Sequence, residues 1–367
     1  MAYDTRKQLY ENLSKIRSRP LLAYITSIRP NQGGQMAGDA IPQIINQIRT
    51  IPIEEKEIDF LIVSNGGDPI TALRIMSLLR ERFKRITVLL PYVAYSAATI
   101  LSLGADEIIM HPYSNLGPVD PQLTVAHSNE HGIRENLQFG SEDLRNYVDF
   151  IRSDVGITDQ QHLVSAISPL LKDVGALPIG SAKRSQQLSL TLSEKMLEWH
   201  NSDNTKVKAI AKALNSSYYH HGYAVGRQEA SKIGLPITIP GSDIECLIWD
   251  IWENFCEEMK CNETFDVVKE IMSNPTSSAA ISQVPIVNLP ANTPQEIAQQ
   301  IIIQHAQSVP ITTRSSLKQK GLVASIESIN SAKAVYTNMD IVYWRNPDMS
   351  LGFNCTGFTS GWVDYEI

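Results

Sequence analysis

A serine at the start of a predicted helix is the residue of this sequence best suited to nucleophilic chemistry. Ser96 lies in the segment Pro91-Tyr92-Val93-Ala94-Tyr95-Ser96-Ala97-Ala98-Thr99, between an apolar run and a stretch of small residues. A helix N-terminus offers unpaired backbone amides and a partial positive charge, and small neighbours leave room for an acyl group. Serine is also a favoured helix cap. We therefore interpret Ser96 either as a nucleophile or as an N-cap.

A glycine pair precedes this serine by one predicted helix and one predicted strand. Gly66 and Gly67 follow the apolar run 58–64, and Pro69 suits the first turn of the next helix. In an open parallel sheet, the turns after the strands gather at one edge, where such folds bind ligands. The amides of this turn and the serine are therefore expected on the same edge, where two amides can hold an oxyanion.

The order of the elements predicts how the sheet is built. Apolar runs at 21–26, 58–64, 86–90 and 107–110 alternate with helical spacing at 38–49, 69–83 and 96–103. This order predicts an α/β fold with a mainly parallel sheet flanked by helices.

The rest of the chain has a different composition. Residues 141–214 have helical patterns, 273–293 resemble a linker, and the later runs at 334–344 and 361–367 indicate a small α+β C-terminal appendage. We therefore divide the chain into a domain of residues 1–260, with linker and appendage at 261–367.

Four sequence runs together resemble a known family. They are Ser64-Asn65-Gly66-Gly67, Ala94-Tyr95-Ser96-Ala97-Ala98-Thr99, the stretch from Gly104-Ala105-Asp106-Glu107 to His111-Pro112, and Leu116-Gly117-Pro118-Val119-Asp120-Pro121-Gln122. A later piece around His221-Gly222-Tyr223-Ala224-Val225 also fits. Over about residues 10–240 the chain resembles the serine dehydrogenase proteinase family, which is similar in fold to signal peptide peptidase A and the Clp protease subunit, in the crotonase-like group.

The resemblance implies that the protein is an enzyme of the serine peptidase-like class. It implies an ATP-independent serine peptidase-like hydrolase with a Clp/crotonase-like fold, with Ser96 as nucleophile and the amides of Gly67 and Ala97 as oxyanion donors. It also implies a peptide or protein substrate and a homo-oligomer. Many members carry an N-terminal membrane helix that this sequence lacks, and the resemblance does not extend to residues 275–367.

The general base is the open point of this assignment. A serine hydroxyl needs a proton acceptor, which His, Lys or a carboxylate can supply. By resemblance, His221 is the preferred base and the neighbouring His220 is expected to face away, while Asp120 stands near the position of the base in the Clp subunit. A Ser-Lys dyad would use Lys183 or Lys172. His111, at the end of a predicted strand, is assigned to the strand-end turn.

Composition excludes several other functions. The 367 residues are 43% hydrophobic and 19% charged, with a net charge of −7 and no basic block, so we expect a folded protein that does not bind nucleic acid. Four cysteines without a Cys-x-x-Cys pair, and histidines without ligand spacing, predict no metal and no cofactor. The charged N-terminus and the lack of a long apolar run predict a cytoplasmic protein with no integral membrane segment.

Two alternative functions stay open at this stage. A crotonase-like acyl-CoA enzyme would use paired amides for a thioester enolate, with a carboxylate as base. A catalytically inactive Clp-fold scaffold would keep the fold and bind a protein partner through the C-terminal appendage.

Overall fold

The computed structural model describes residues 2–128, 134–216, 218, 220, 222–281, 288–308, 314–346 and 350–365. The helices are α1 (Ala2–Arg17), α2 (Ala40–Thr50), α3 (Pro69–Arg82), α4 (Ala97–Leu103), α5 (Ser141–Asp149, continued by a π turn at Phe150–Asp154), α6 (Gln160–Val174), α7 (Ala176–Glu198), α8 (Asn204–Ser216), α9 (Arg227–Lys232), α10 (Ser242–Glu258), α11 (Val267–Ser273), α12 (Pro275–Ile281) and α13 (Gln295–Ser308). The strands are β1 (Leu21–Thr26), β2 (Glu57–Val63), β3 (Arg85–Leu90), β4 (Val93–Ala94), β5 (Glu107–Met110), β6 (Asn115–Leu116), β7 (Gln122–Ser128), β8 (Arg134–Gly140), β9 (Val225–Gly226), β10 (Ile237–Thr238), β11 (Ser315–Glu327), β12 (Ala332–Arg345) and β13 (Leu351–Asp364).

The main sheet has eight strands in the order β10-β5-β3-β2-β1-β11-β12-β13. The first five are parallel to one another, whereas β11, β12 and β13 are antiparallel to their neighbours. A three-stranded sheet (β4-β6-β9) and the β7-β8 hairpin complete the β structure of the described residues. The predicted Clp-like α/β fold, with a large sheet flanked by helices, is confirmed.

The parallel strands are buried on both faces, which explains their continuous apolar runs. Successive side chains of a strand point to opposite faces, so Leu22 and Tyr24 pack in one core and Leu21 and Ala23 in the other. Helices α2, α3, α4, α7 and α8 cover the first face, and α1 and α10 cover the second. The core on both sides holds the carboxyl ends of β1, β2 and β3 in fixed positions.

The C-terminal strands extend the main sheet. Residues 324–327 of β11 pair with 23–26 of β1, and β11 continues far beyond β1 to pair with β12. Strands β12 and β13 cover the predicted runs at 334–344 and 361–367 as far as residue 364, and residues 366 and 367 lie outside the described residues. The sequence patterns missed β11 and the β7-β8 hairpin, and the expected linker at 273–293 contains α12. The division at residue 260 stays a prediction.

A buried ion pair joins the N-terminal helix to these strands. Arg6 on α1 donates two hydrogen bonds to Glu327 on β11, at 2.9 and 2.7 Å, and both side chains are fully buried. Tyr10 donates a third bond to Glu327 at 2.8 Å, while Arg6 also contacts Glu258 of α10 at 2.6 Å. This network ties α1, α10 and β11 together.

The helices that the structure describes can be compared with the length of about 20 mostly apolar residues that crosses a bilayer. None of them alone is long and apolar enough to cross a bilayer, and α6 with α7 would pass that test only as a pair bent by 93°.

The buried His111 and the half-buried His200 predict a pH dependence of stability. Burial lowers the pKa of His111 and of His200 below the ordinary value of 6.5. The unfolded chain then binds more protons than the native protein as pH falls below about 6.5, so the free energy of unfolding is fully retained above that pH and decreases below it.

Urea unfolding at pH 7.5 and 5.5 tests this effect. The variant carrying both His111→Asn and His200→Gln is expected to lose less stability on acidification than the wild type. His162→Gln, at an exposed side chain on α6, is the control and should keep the wild-type difference. Equal losses in all three proteins would contradict the assignment.

Candidate active site

The turn after β2 is held against β4. The Ser64 amide donates to the Val93 carbonyl at 3.0 Å, and the Ser64 carbonyl accepts from the Tyr95 amide at 2.9 Å. The Ser64 hydroxyl accepts from Thr26 Oγ1 at 2.8 Å and from the Gly66 amide at 3.0 Å. The two segments that carry the predicted site residues therefore lie side by side, as expected from the sheet topology.

Met36 holds the other side of this turn. Its amide donates to the Gly66 carbonyl at 2.8 Å, and its carbonyl accepts from the Asp68 amide at 2.9 Å. Since this parallel bridge uses the groups flanking Gly67, the Gly67 amide points away from Met36. A Cβ at Gly67 would lie 2.2 Å from the Met36 carbonyl oxygen, and φ of Gly67 is +146°. Only glycine fits this position.

Ser96 has a backbone conformation that non-glycine residues rarely adopt. It stands immediately before α4 with φ 51° and ψ −117°, and its side chain makes no capping hydrogen bond to the helix. Such a conformation costs of order 1–3 kcal/mol and tends to occur at functional sites. Helix capping therefore does not account for the hydroxyl of Ser96.

Gly66 allows the two segments to approach closely. A Cβ at Gly66 would lie 2.6 Å from the Tyr95 carbonyl oxygen, 2.9 Å from Ser96 Cβ and 3.1 Å from the Ala97 amide nitrogen. Its φ of +101° also favours glycine. The glycine turn, the serine and the first amide of α4 therefore form one compact cluster.

Two amides of this cluster are available to an oxyanion. Ala97 is the first residue of α4, so its amide has no partner within the helix. Among the residues that the structure describes, neither the Ala97 amide nor the Gly67 amide donates a hydrogen bond. The structure thus brings together Gly67, Ser96 and Ala97.

Hydrogen bonds of Thr99 with Ala94 and Gly117 hold the start of α4 in place. Thr99 Oγ1 donates to the Ala94 carbonyl at 2.7 Å and accepts from the Gly117 amide at 3.1 Å. A Cβ at Gly117 would lie 2.6 Å from the Tyr95 ring, so the ring packs directly on this glycine. The sequence reasoning missed Met36, Thr99 and Gly117 as supports, although Thr99 and Gly117 stand within the runs that suggested the site.

Asp120 lines a separate polar cavity. This cavity, of about 240 Å³, is also lined by His220 and by acidic residues of α5, and Ser96 is not among its lining residues. Gln122 Nε2 donates to Asp120 Oδ2 at 2.9 Å, and His220 Nδ1 accepts from the Gly222 amide at 3.0 Å. His220 and Asp120 thus share one cavity, with no contact to Ser96 in the described part of the chain.

The two lysines lie on helix surfaces. Lys183 is exposed within α7, and its Nζ donates to Gln186 at 3.1 Å. Lys172 is exposed near the end of α6. Neither forms a hydrogen bond with Ser96 in the described structure. A Ser-Lys dyad has no support from these positions.

Of the two remaining histidines, the structure describes His111 but not His221. His111 is buried in the turn after β5 and stacks on Trp249 with ring centroids 4.7 Å apart, in keeping with its assignment to the turn. His221, the preferred base, lies outside the described residues. The identity of the base therefore stays a prediction.

The comparison with protein families agrees with this geometry. Residues 36–176, which include the glycine turn and Ser96, match the family of ClpP-like SDH-type serine proteinases. The resemblance predicted from the sequence is thereby confirmed. The match supports a peptidase-like role for the chain.

Two proteins of similar sequence carry no assigned activity. Two uncharacterized proteins of Methanocaldococcus jannaschii, MJ0137 and MJ1495, are each 26% identical to this chain over 53% of its length, and the aligned regions span 58% and 56% of those proteins. Similar solved structures include a mutant of the membrane-bound stomatin-specific protease 1510-N, at 12% identity, TM-score 0.37, and 61% and 82% coverage of the two chains. ClpP1 from Listeria monocytogenes has 10% identity, TM-score 0.32, and coverage of 60% and 94%.

The glycine turn predicts the outcome of a single methyl addition. Gly66→Ala places a Cβ against Tyr95, Ser96 and Ala97 at a positive φ, so we expect a loss of about 1–3 kcal/mol of stability and a displaced Ser96. Gly38→Ala is the matched control, because its Cβ would have only an ordinary contact, 3.8 Å from Thr71 Oγ1. Chemical denaturation of both variants measures the difference, and similar stability of the two would refute the close approach.

Proposed function

We propose that this protein is a serine peptidase-like hydrolase that acts on peptides or proteins without ATP, with Ser96 as its nucleophile. The observation that carries the proposal is the strained, uncapped Ser96 beside the Gly66-Gly67 turn. The Ser96 carbonyl accepts from the Ile100 amide at 3.0 Å, but its side chain makes no capping hydrogen bond that would explain the strained φ of 51°. Presentation of its hydroxyl to a substrate would explain it.

The chemistry follows from the positions of the backbone groups. Ser96 Oγ attacks the scissile carbonyl while its proton passes to a base, and the carbonyl oxygen becomes an oxyanion. The amides of Gly67 and Ala97 donate to that oxyanion. The tetrahedral intermediate collapses as the leaving amine takes a proton, and water then releases the acyl group from Ser96 by the same steps.

We assign the proton transfer to His221. In the described part of the chain, no histidine, lysine or carboxylate forms a hydrogen bond with the Ser96 side chain, and Lys183 and Asp120 have other hydrogen-bond partners. His221 belongs to the segment 221–224 that leads into β9, and β9 pairs with β6, which pairs with the strand before Ser96. Because β9 is joined to β4 through β6, a histidine from this segment is better supported as the base than either lysine.

A serine-directed fluorophosphonate probe tests the nucleophile. We expect labelling of the wild type and at least a 10²-fold loss in Ser96→Ala. Ser102→Ala is the matched control, because Ser102 lies on the same helix and its hydroxyl is already bound to the Ala98 carbonyl at 2.8 Å. Equal labelling of wild type and Ser96→Ala would overturn the proposal and favour a catalytically inactive, partner-binding scaffold.

Stability separates catalysis from capping in the same experiment. Ser96→Gly relieves the strain at φ 51°, so we expect it to be more stable than Ser96→Ala by up to about 1–2 kcal/mol while labelling no better. If the serine were a structural cap, both substitutions would instead lower stability and leave labelling intact.

We further propose that copies of this chain assemble into a homo-oligomer. The helical region after the β7-β8 hairpin exposes large apolar side chains, including Phe150, Val164 and Leu177, the last 86% exposed. Burial of such surface between copies would be favourable. Light scattering at micromolar concentration should give a mass above 40.8 kDa, and Leu177→Lys should weaken the assembly.

A further inference from the structure

Two free cysteines meet at the C-terminus of α10. Cys256 lies in its last turn and Cys261 shortly after its end, and both are buried, at 8% and 7% exposure. The Cys261 amide donates to the Cys256 carbonyl at 2.8 Å, the Lys260 amide donates to the Glu257 carbonyl at 3.1 Å, and Lys260 has φ 53°. These bonds define a Schellman motif. In such a motif, the side chain of the third-last helical residue contacts the side chain of the second residue after the helix cap. Here those positions hold the two cysteines.

The side chains at this motif are arranged for thiol chemistry. The neighbouring Cys261 thiol, together with the backbone amides of Asn262 and Cys261, stabilises the thiolate form of Cys256. These interactions lower the pKa of Cys256 to about 7 and raise that of Cys261. A thiolate in contact with a second thiol is the arrangement of a dithiol that closes on oxidation.

Other roles for the pair have less support. No group of three His, Cys, Asp or Glu side chains in the described chain is placed to hold a metal ion. Cys246 is exposed and Cys355 lies on β13, so within the described structure neither belongs to this motif. The proposed peptidase reaction uses neither Cys256 nor Cys261.

We propose that Cys256 and Cys261 are a redox modification site, which a hydroperoxide converts reversibly into an intramolecular disulfide. The Cys256 thiolate attacks one peroxide oxygen, the O–O bond breaks, and hydroxide leaves as water after taking up a proton. The Cys261 sulfur then displaces hydroxide from the resulting sulfenic acid and gives up its own proton, so a second water leaves. Two thiols lose two electrons in total, and one hydrogen peroxide is reduced to two waters.

The site of tryptic cleavage makes this disulfide easy to identify. Lys260 lies between the two cysteines, so trypsin releases them in different peptides, 233–260 and 261–269. After treatment of the full-length native protein with hydrogen peroxide, we expect the intact mass to fall by two hydrogens. The two peptides should remain linked until dithiothreitol separates them.

Variants test whether the native fold selects this pair. Cys246→Ala and Cys355→Ala should form the same linkage at the wild-type rate, whereas Cys256→Ala and Cys261→Ala should not form it. Native wild type should close the linkage at least 10-fold faster than the same protein in guanidinium chloride. Linkage through Cys246, over-oxidation of Cys256 while Cys261 remains a thiol, or equal rates in folded and unfolded protein would each overturn the proposal.

Discussion

The carboxylate of Glu327 sits in the interior of the protein and depends on donors from distant parts of the sequence. Arg6 contributes two hydrogen bonds, Tyr10 one, and Ser325 one at 2.7 Å. An unpaired charge at full burial would be far too costly, and removal of one partner from such a pair typically costs about 3–5 kcal/mol. The N-terminal helix and the C-terminal strands must therefore pack together for either to be stable.

The consequences of this pairing extend along β1 to the candidate site. Glu327 lies opposite Ala23 in the pairing of β11 with β1, and β1 ends at Thr26. The Thr26 hydroxyl donates to Ser64, which in turn holds the Gly66 amide. A strand fixed by neighbours on both sides thus supplies the anchor for the glycine turn. Catalytic groups on turns need such a rigid scaffold, because small displacements lower rates sharply.

The strained backbone of Ser96 persists because the segments on both sides of it are fixed by hydrogen bonds and packing. The turn before it is bonded to Ser64, the helix after it is braced by Thr99, and Gly66 lies against its Cβ. Each contact is to backbone or to a buried side chain, so the serine cannot relax into an ordinary helix cap. The strain lowers stability at this one residue, and it leaves the Ser96 hydroxyl without a hydrogen bond to the described chain. The buried cysteine pair at the end of α10 is a contrasting case, in which a relaxed helix-ending motif brings two reactive groups together.

Local sequence patterns were sufficient for the parallel strands and for the residues of the glycine turn and Ser96. The apolar runs of β1, β2, β3 and β5 are continuous because these strands are buried on both faces, and Gly-Gly and small residues mark places where backbones approach. Tertiary structure alone decided that β11 joins β1, that Met36 holds Gly67, and that Asp120 lines one cavity together with His220. These arrangements arise from hydrogen bonds and charges between residues far apart in the chain, and such pairings leave no periodic signal in the sequence around either partner.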